Sequence, residues 1–169
     1  MKTPVTRVFL GAVLLIGCSD VTAPAAGMFQ AQLSGARVAT MSGPSNAGTS
    51  FTADFPDTRF AIRMFATQGD TVRVITFLCP GEAPPAPGTY PVTQAASDCP
   101  GRYSRVVSTL AGGTVVLEQA AASFGSLTIS PSGEGQTVGT FSITGLLVVG
   151  TDSVGTLDAS GTFSATVGP

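Results

Sequence analysis

The chain has 169 residues, enough for one domain and no argument for two. It is 43% hydrophobic and only 11% charged, has no His or Trp, and carries a formal net charge of -2 with a pI of about 4.8. That balance excludes a nucleic-acid-binding surface and a coiled coil. Its 21 Gly, 12 Pro, 22 Thr and 17 Val favour strands and turns.

Residues 1–17 read as a signal peptide. Lys2 and Arg7 precede an apolar run from Val8 to Ile16. A membrane-spanning helix needs about 20 apolar residues, so this run has the length of an h-region instead. Leu15-Ile16-Gly17-Cys18 closes it. The sequence resembles the lipobox of bacterial lipoproteins, with a Leu three residues before the cysteine and a small residue directly before it. The resemblance implies that fatty-acyl chains such as palmitate are attached at Cys18 and that the chain is cut before it. Each buried CH₂ contributes about 0.8 kcal/mol, so two or three acyl chains hold a protein on a membrane. Ser19 follows the cysteine where inner-membrane members tend to carry Asp, which implies the outer membrane in a cell that has one. The processed chain keeps six arginines against ten carboxylates, net -4, and no lysine.

Residues 18–26 read as a tether, small and polar with Pro24, and residues 27–169 as an all-β domain. Phe29, Ala31 and Leu33 alternate with polar neighbours, as the period of a half-buried strand requires. Phe51, Ala53 and Phe55 repeat the pattern, and so do Phe60, Ile62 and Met64 against Arg59, Ala61 and Arg63. Gly69-Asp70 marks a hairpin turn. Val72 to Leu78 is apolar on both faces, as in a central strand. Arg105–Leu110 and Thr114–Leu117 read as short strands about a Gly112-Gly113 turn, and Leu117–Ser123 has the composition of two helical turns. Leu127 and Ile129, Phe141 and Ile143, and the unbroken alternation from Leu157 to Val167 complete the set. Gly139-Thr-Phe-Ser142 echoes Gly161-Thr-Phe-Ser164, so these are expected to be related strands of one antiparallel sheet. The expected fold is an antiparallel β-sandwich or partly open barrel of about nine or ten strands.

Cys79 and Cys99 flank a Pro- and Gly-rich loop. Export places them in an oxidising compartment, and with Cys18 acylated they are left as a pair, so a disulfide is expected. No Cys-x-x-Cys spacing suits a redox or zinc site.

Catalysis by Ser-His-Asp, by Cys-His or by a His-ligated metal is excluded for want of a histidine, and a lysine nucleophile for want of a mature lysine. Carboxylate pairs remain: Asp54 with Asp57, Asp152 with Asp158, Glu118 with Glu134. All lie in turn-like contexts where solvated carboxylates are common. Asp152 and Asp158 are also the softer candidates for calcium, without the spacing of a known loop, and no cofactor or metal is expected. Arg59 and Arg63 share a strand face suited to an anionic group, although a solvated face is the plainer reading. Arg73 falls with Ile75 and Phe77 on the other face. Tyr90, in Gly88-Thr-Tyr-Pro-Val92, is a candidate surface contact, or a ring packed on a sheet edge.

Beyond the lipobox, Phe29-Gln-Ala-Gln-Leu-Ser-Gly35, Pro87-Gly-Thr-Tyr-Pro91, Gly125-Ser-Leu-Thr-Ile129 and the paired Gly-Thr-Phe-Ser motifs are similar to small all-β bacterial lipoprotein domains of unassigned function. The expectation is a lipid-anchored, non-enzymatic binding or interaction module of the cell envelope, with an envelope protein or glycan as partner and no nucleic acid. The alternatives are a carboxylate-dependent glycan hydrolase and a purely structural envelope component.

Overall fold

The computed structural model describes residues 23–51, 55, 57–108 and 113–168. The signal peptide, Cys18 and Asp54 lie outside the described residues. Nine strands follow in order: β1 (Met28–Gly35), β2 (Ala39–Ser50), β3 (Arg59–Gln68), β4 (Thr71–Pro80), β5 (Gly88–Pro91), β6 (Gly101–Ser108), β7 (Thr114–Ser130), β8 (Gln136–Val149) and β9 (Asp152–Val167).

Strands β7, β6, β4, β3, β2, β1, β9 and β8 pair in turn, and β8 pairs back to β7, closing an eight-strand barrel. All these neighbours are antiparallel. The short strand β5 adds to β7 at Ser126–Ile129, along the edge that β6 has left after Ala121. The expected all-β antiparallel class is seen, and in place of the expected sandwich or partly open barrel the wall is a closed barrel, because the β1–β9 and β7–β8 pairings leave no break in it. One short parallel contact, Asn46 and Ala47 of β2 with Thr166 and Val167 of β9, draws the wall together where β1 begins.

Each wall strand presents alternate side chains to the inside. Phe29, Met41, Phe60, Met64, Phe77 and Phe163 are fully buried there. Phe77 and Phe141 meet as tilted rings with centroids 5.3 Å apart. An eight-strand barrel is just narrow enough for side chains to fill it, so the centre is a packed core.

The topology gives the barrel two unlike ends. The turns β1–β2, β3–β4, β6–β7 and β8–β9 share the hairpin end. At the entry end, residues 23–27 lead into β1, and the connection from Gly81 to Pro100 crosses between β4 and β6. Cys79 and Cys99 are disulfide-bonded there, and both are buried with Val92. Closing a 20-residue separation contributes on the order of 3 kcal/mol in the chain-entropy view.

Three local readings are corrected. Leu117–Ser123 is not helical: it lies within β7, with Glu118, Ala120 and Ala122 turned inward and both edges paired through much of its length. Tertiary pairing overrides the helix preference of alanine. Thr114–Leu117 and the Leu127–Ile129 segment are two parts of that same long strand. Phe51 is 76% exposed and stands outside any strand, as does Phe55. The strand in that region is instead β2.

Candidate functional site

A groove of about 500 Å³ lies on the outer wall near the entry end. Its floor follows from register. Arg63 of β3 pairs with Thr76 of β4, and Thr76 pairs with Arg102 of β6. The three side chains therefore form one cross-strand row on the outer face, with the arginine backbones about 10 Å apart at normal strand spacing. Leu78 and Gly101 extend the floor, and Phe55, Gln94 and Pro100 form the rim. Arg63 donates through Nη2 to Ser50 Oγ at 2.5 Å.

Arg59 is not solvated. It lies under the rim of this groove, only 1% exposed. Its guanidinium donates to the carbonyl of Ala96 at 2.8 Å and to those of Asp98 and Leu78 at 3.4 and 3.5 Å. It also pairs with Asp57 at 3.3 Å and carries the Phe55 ring 4.2 Å from its centre. A planar fork with five donors suits this work, binding a loop to a strand through several acceptors at once. The expectation of a solvated face thus fails at Arg59, because the connection before Cys99 folds back over β3. Arg59 and Arg63 do share that outer face. Tyr90 does not join them: it packs against the core from β5 and donates to the Ala86 carbonyl at 2.6 Å.

Of the carboxylate pairs, the two whose members both lie among the described residues do not come together. Glu118 lies toward the hairpin end of β7, and Glu134 in the β7–β8 turn at the entry end. Asp152 and Asp158 are six residues apart along β9, about 20 Å at normal rise. Asp158 accepts from Thr144 Oγ1 at 2.6 Å. Asp57 pairs with Arg59, and Asp54 lies outside the described residues. Among the described residues no group of three His, Cys, Asp or Glu side chains is arranged to hold a metal ion.

A second polar constellation closes the hairpin end from inside, and composition alone does not reveal it. The Glu118 side chain is 1% exposed. Its Oε1 accepts from the Tyr103 hydroxyl at 2.8 Å, and its Oε2 accepts from Arg37 Nε at 3.0 Å and from Arg105 Nη2 at 3.4 Å, with Arg105 Nε also in ion-pair range of Oε1 at 3.2 Å. Arg105 is brought opposite Glu118 by register, and Arg73 opposite Arg105. Arg73 thus turns inward with Ile75 and Phe77, as the alternation implies, and donates to Gln68 Oε1 at 2.6 Å. Burial works to raise the Glu118 carboxyl, but the bonds from Tyr103, Arg37 and Arg105 outweigh it and hold the group below its usual range. Burial first, and then the bond to Glu118 with its negative charge, push the Tyr103 hydroxyl far above its usual value; Arg73 acts in the opposite sense. Alternation places Arg73 and Glu118 on inward faces, but the approach of Arg37 depends on how the β1–β2 turn folds over the barrel mouth.

Compared with protein-family models, curated proteins and solved structures, the chain matches none. The reading of its function rests on its own residues.

Proposed function

We propose that this chain is a lipid-anchored protein of the bacterial cell envelope that binds an envelope glycan without transforming it, in the groove over β3, β4 and β6. The observation that carries the reading is the lining of that groove. Phe55, Leu78 and Pro100 offer apolar surface for the C–H face of a sugar, while Arg63, Thr76 and Gln94 offer donors and acceptors for its hydroxyl and carboxylate oxygens. The lipobox at Leu15–Cys18 supports anchoring, with the outer membrane as the expected site. Residues 23–27 join the barrel at the end that carries the groove, so a lipid on Cys18 holds the groove toward the membrane side.

Titration with soluble envelope glycans, neutral and uronic-acid-bearing, followed by amide chemical shifts, tests this. Shifts gathered on β3, β4 and β6 and lost in Arg63→Ala support it. Shifts scattered over the surface, or none with any glycan, contradict it. The appearance of shorter saccharides in the same tubes would identify a glycan-cleaving enzyme instead.

A further inference from the structure

At the hairpin end of the barrel β7 extends past the end of β8 and leaves an open strand edge. Strand β7 pairs with β8 only from Gln119, opposite Val148, onward. Of its first five residues, Thr114 to Glu118, all but Leu117 pair with β6 on one side, and among the described residues no strand pairs with them on the other. Bulges lie at this same level. Leu117 is an extra residue between Glu118, opposite Arg105, and Val116, opposite Val106. Val154 is an extra residue between Gly155, opposite Leu147, and Ser153, opposite Val148. Such bulges increase local twist and end pairing at barrel rims. Strand β8 ends at Val149, so β7 runs on past it, and a notch of about 220 Å³ lined by Val116, Glu118, Gln119 and Val148 lies beside the overhang.

An open strand edge offers unpaired backbone N–H and C=O groups, which proteins usually blunt with charge or proline. This one carries neither before Glu118: its sequence is Thr-Val-Val-Leu, and Val115 and Val116 are 47% and 51% exposed. The charge is at its inner end. Three guanidiniums, from Arg37, Arg73 and Arg105, gather about the single Glu118 carboxylate and Tyr103. Arg37 is 45% exposed there.

We propose that the edge of β7 at Thr114–Leu117 binds an extended peptide segment of a partner protein by strand addition, with an acidic group of that peptide meeting Arg37 at the barrel mouth. Backbone pairing supplies affinity in this mode, and the charge fixes direction and register. A cationic peptide in the same place would face the guanidinium cluster. The site is at the opposite end from the tether, so it is open to a partner while the chain is anchored.

The test uses the full chain in detergent and a fluorescent heptapeptide of alternating Val and Thr ending in Glu. The same peptide ending in Lys, and one interrupted by Pro, serve as comparisons, with anisotropy as the readout. Binding of the Glu peptide is expected to be at least tenfold tighter than either. It should fall at least tenfold in Val116→Lys, which charges the edge, and in Arg37→Ala, whose side chain is half exposed, and stay unchanged in Ser160→Lys, at mid-wall on β9 and level with Ser126 rather than with the hairpin end. The fold of each variant is checked by its amide spectrum. Equal binding of the Lys peptide, indifference to Val116→Lys, or no binding of any peptide overturns the proposal. A concentration-dependent dimer of the chain that Val116→Lys abolishes also overturns it, since the edge would then belong to a second copy.

Discussion

Phe163 of β9 stands directly opposite Gly139 of β8, and its ring lies where a Gly139 side chain would begin. In the same register Phe141 of β8 stands opposite Gly161 of β9. The Gly-Thr-Phe echo in the sequence thus becomes a pair of antiparallel strands in which Gly139 makes room for the Phe163 ring and Gly161 for the close approach of β1 at Gln30 and Ala31. A Cβ at Gly139 would come within 2.9 Å of the Phe163 ring and would also run into the backbone carbonyl of Thr128.

Gly139→Ala is therefore expected to destabilise the barrel by about 2–3 kcal/mol, read as a fall in Tm of roughly 4–12 °C. Shrinking the ring should not restore it, because the Thr128 carbonyl is main chain and stays in place. Thermal unfolding of Gly139→Ala with Phe163→Leu should show both losses. Recovery to the level of Phe163→Leu alone would place the conflict wholly in the ring.

At the hairpin end, Glu118→Gln leaves the arginines without their shared carboxylate. Removing one member of a buried charged cluster costs about 3–5 kcal/mol, and the exposure of Arg37 brings the expectation here to about 2–4 kcal/mol. The folded carboxyl lies below its usual value of 4.5, so its contribution is present above that pH and lost as pH falls through the lower folded value. Urea unfolding of wild type and Glu118→Gln should differ most near neutrality and converge in acid. A difference that holds constant into acid would contradict the assignment.

Tyr103 gives the opposite sign. Its folded value is raised above the ordinary 10.0, so the phenol stays neutral in the fold, and stability falls as pH rises beyond 10. The chain has two tyrosines and no tryptophan, so Tyr90→Phe leaves Tyr103 as the one phenol for near-ultraviolet titration. Its ionisation should be delayed well past pH 10 and coincide with unfolding. Ionisation at pH 10 with the fold intact would show that the hydroxyl is not held by Glu118.

Arg59 ties the connection before Cys99 to β3, so Arg59→Met should loosen that connection more than the barrel. Three carbonyls lose their donor, a cost on the order of 3 kcal/mol. Hydrogen exchange should rise mainly over residues 92–100, and Arg59→Lys should recover little, because a point charge does not reproduce the fork. Uniform acceleration across the barrel would mean that Arg59 supports the wall itself.

Much of the wall is legible as sequence because alternation survives wherever one face is buried and the other wet. The run from Leu157 to Val167 is the plainest case, and Phe29 to Leu33 another. Strand β2 is not legible: Gly43, Pro44, Asn46 and Gly48 read as turn residues, yet pairing to β1 and β3 holds them extended, with Met41, Ser45 and Ala47 inside. Leu117–Ser123 misleads in the other direction, because local propensity there favours helix while the pairing partners lie far along the chain. Closure of the barrel depends on β1 meeting β9, a relation no local pattern encodes. The groove is half legible. Arg63 is marked by its strand face, whereas Phe55, Gln94 and Pro100 reach it through connections that the buried Arg59 and the Cys79–Cys99 bridge hold in place.

The central claim is a ligand held in the groove of an anchored chain, and site-specific photocrosslinking in living cells tests it most directly. A photoreactive residue replaces Gln94 at the groove rim in one strain and Ser160 on the opposite wall in another, each with and without Cys18→Ser. The expected result is a discrete glycan adduct from position 94 that is absent from position 160 and greatly reduced by Cys18→Ser. Equal adducts from both walls, none from position 94, or an adduct indifferent to Cys18 would contradict the account.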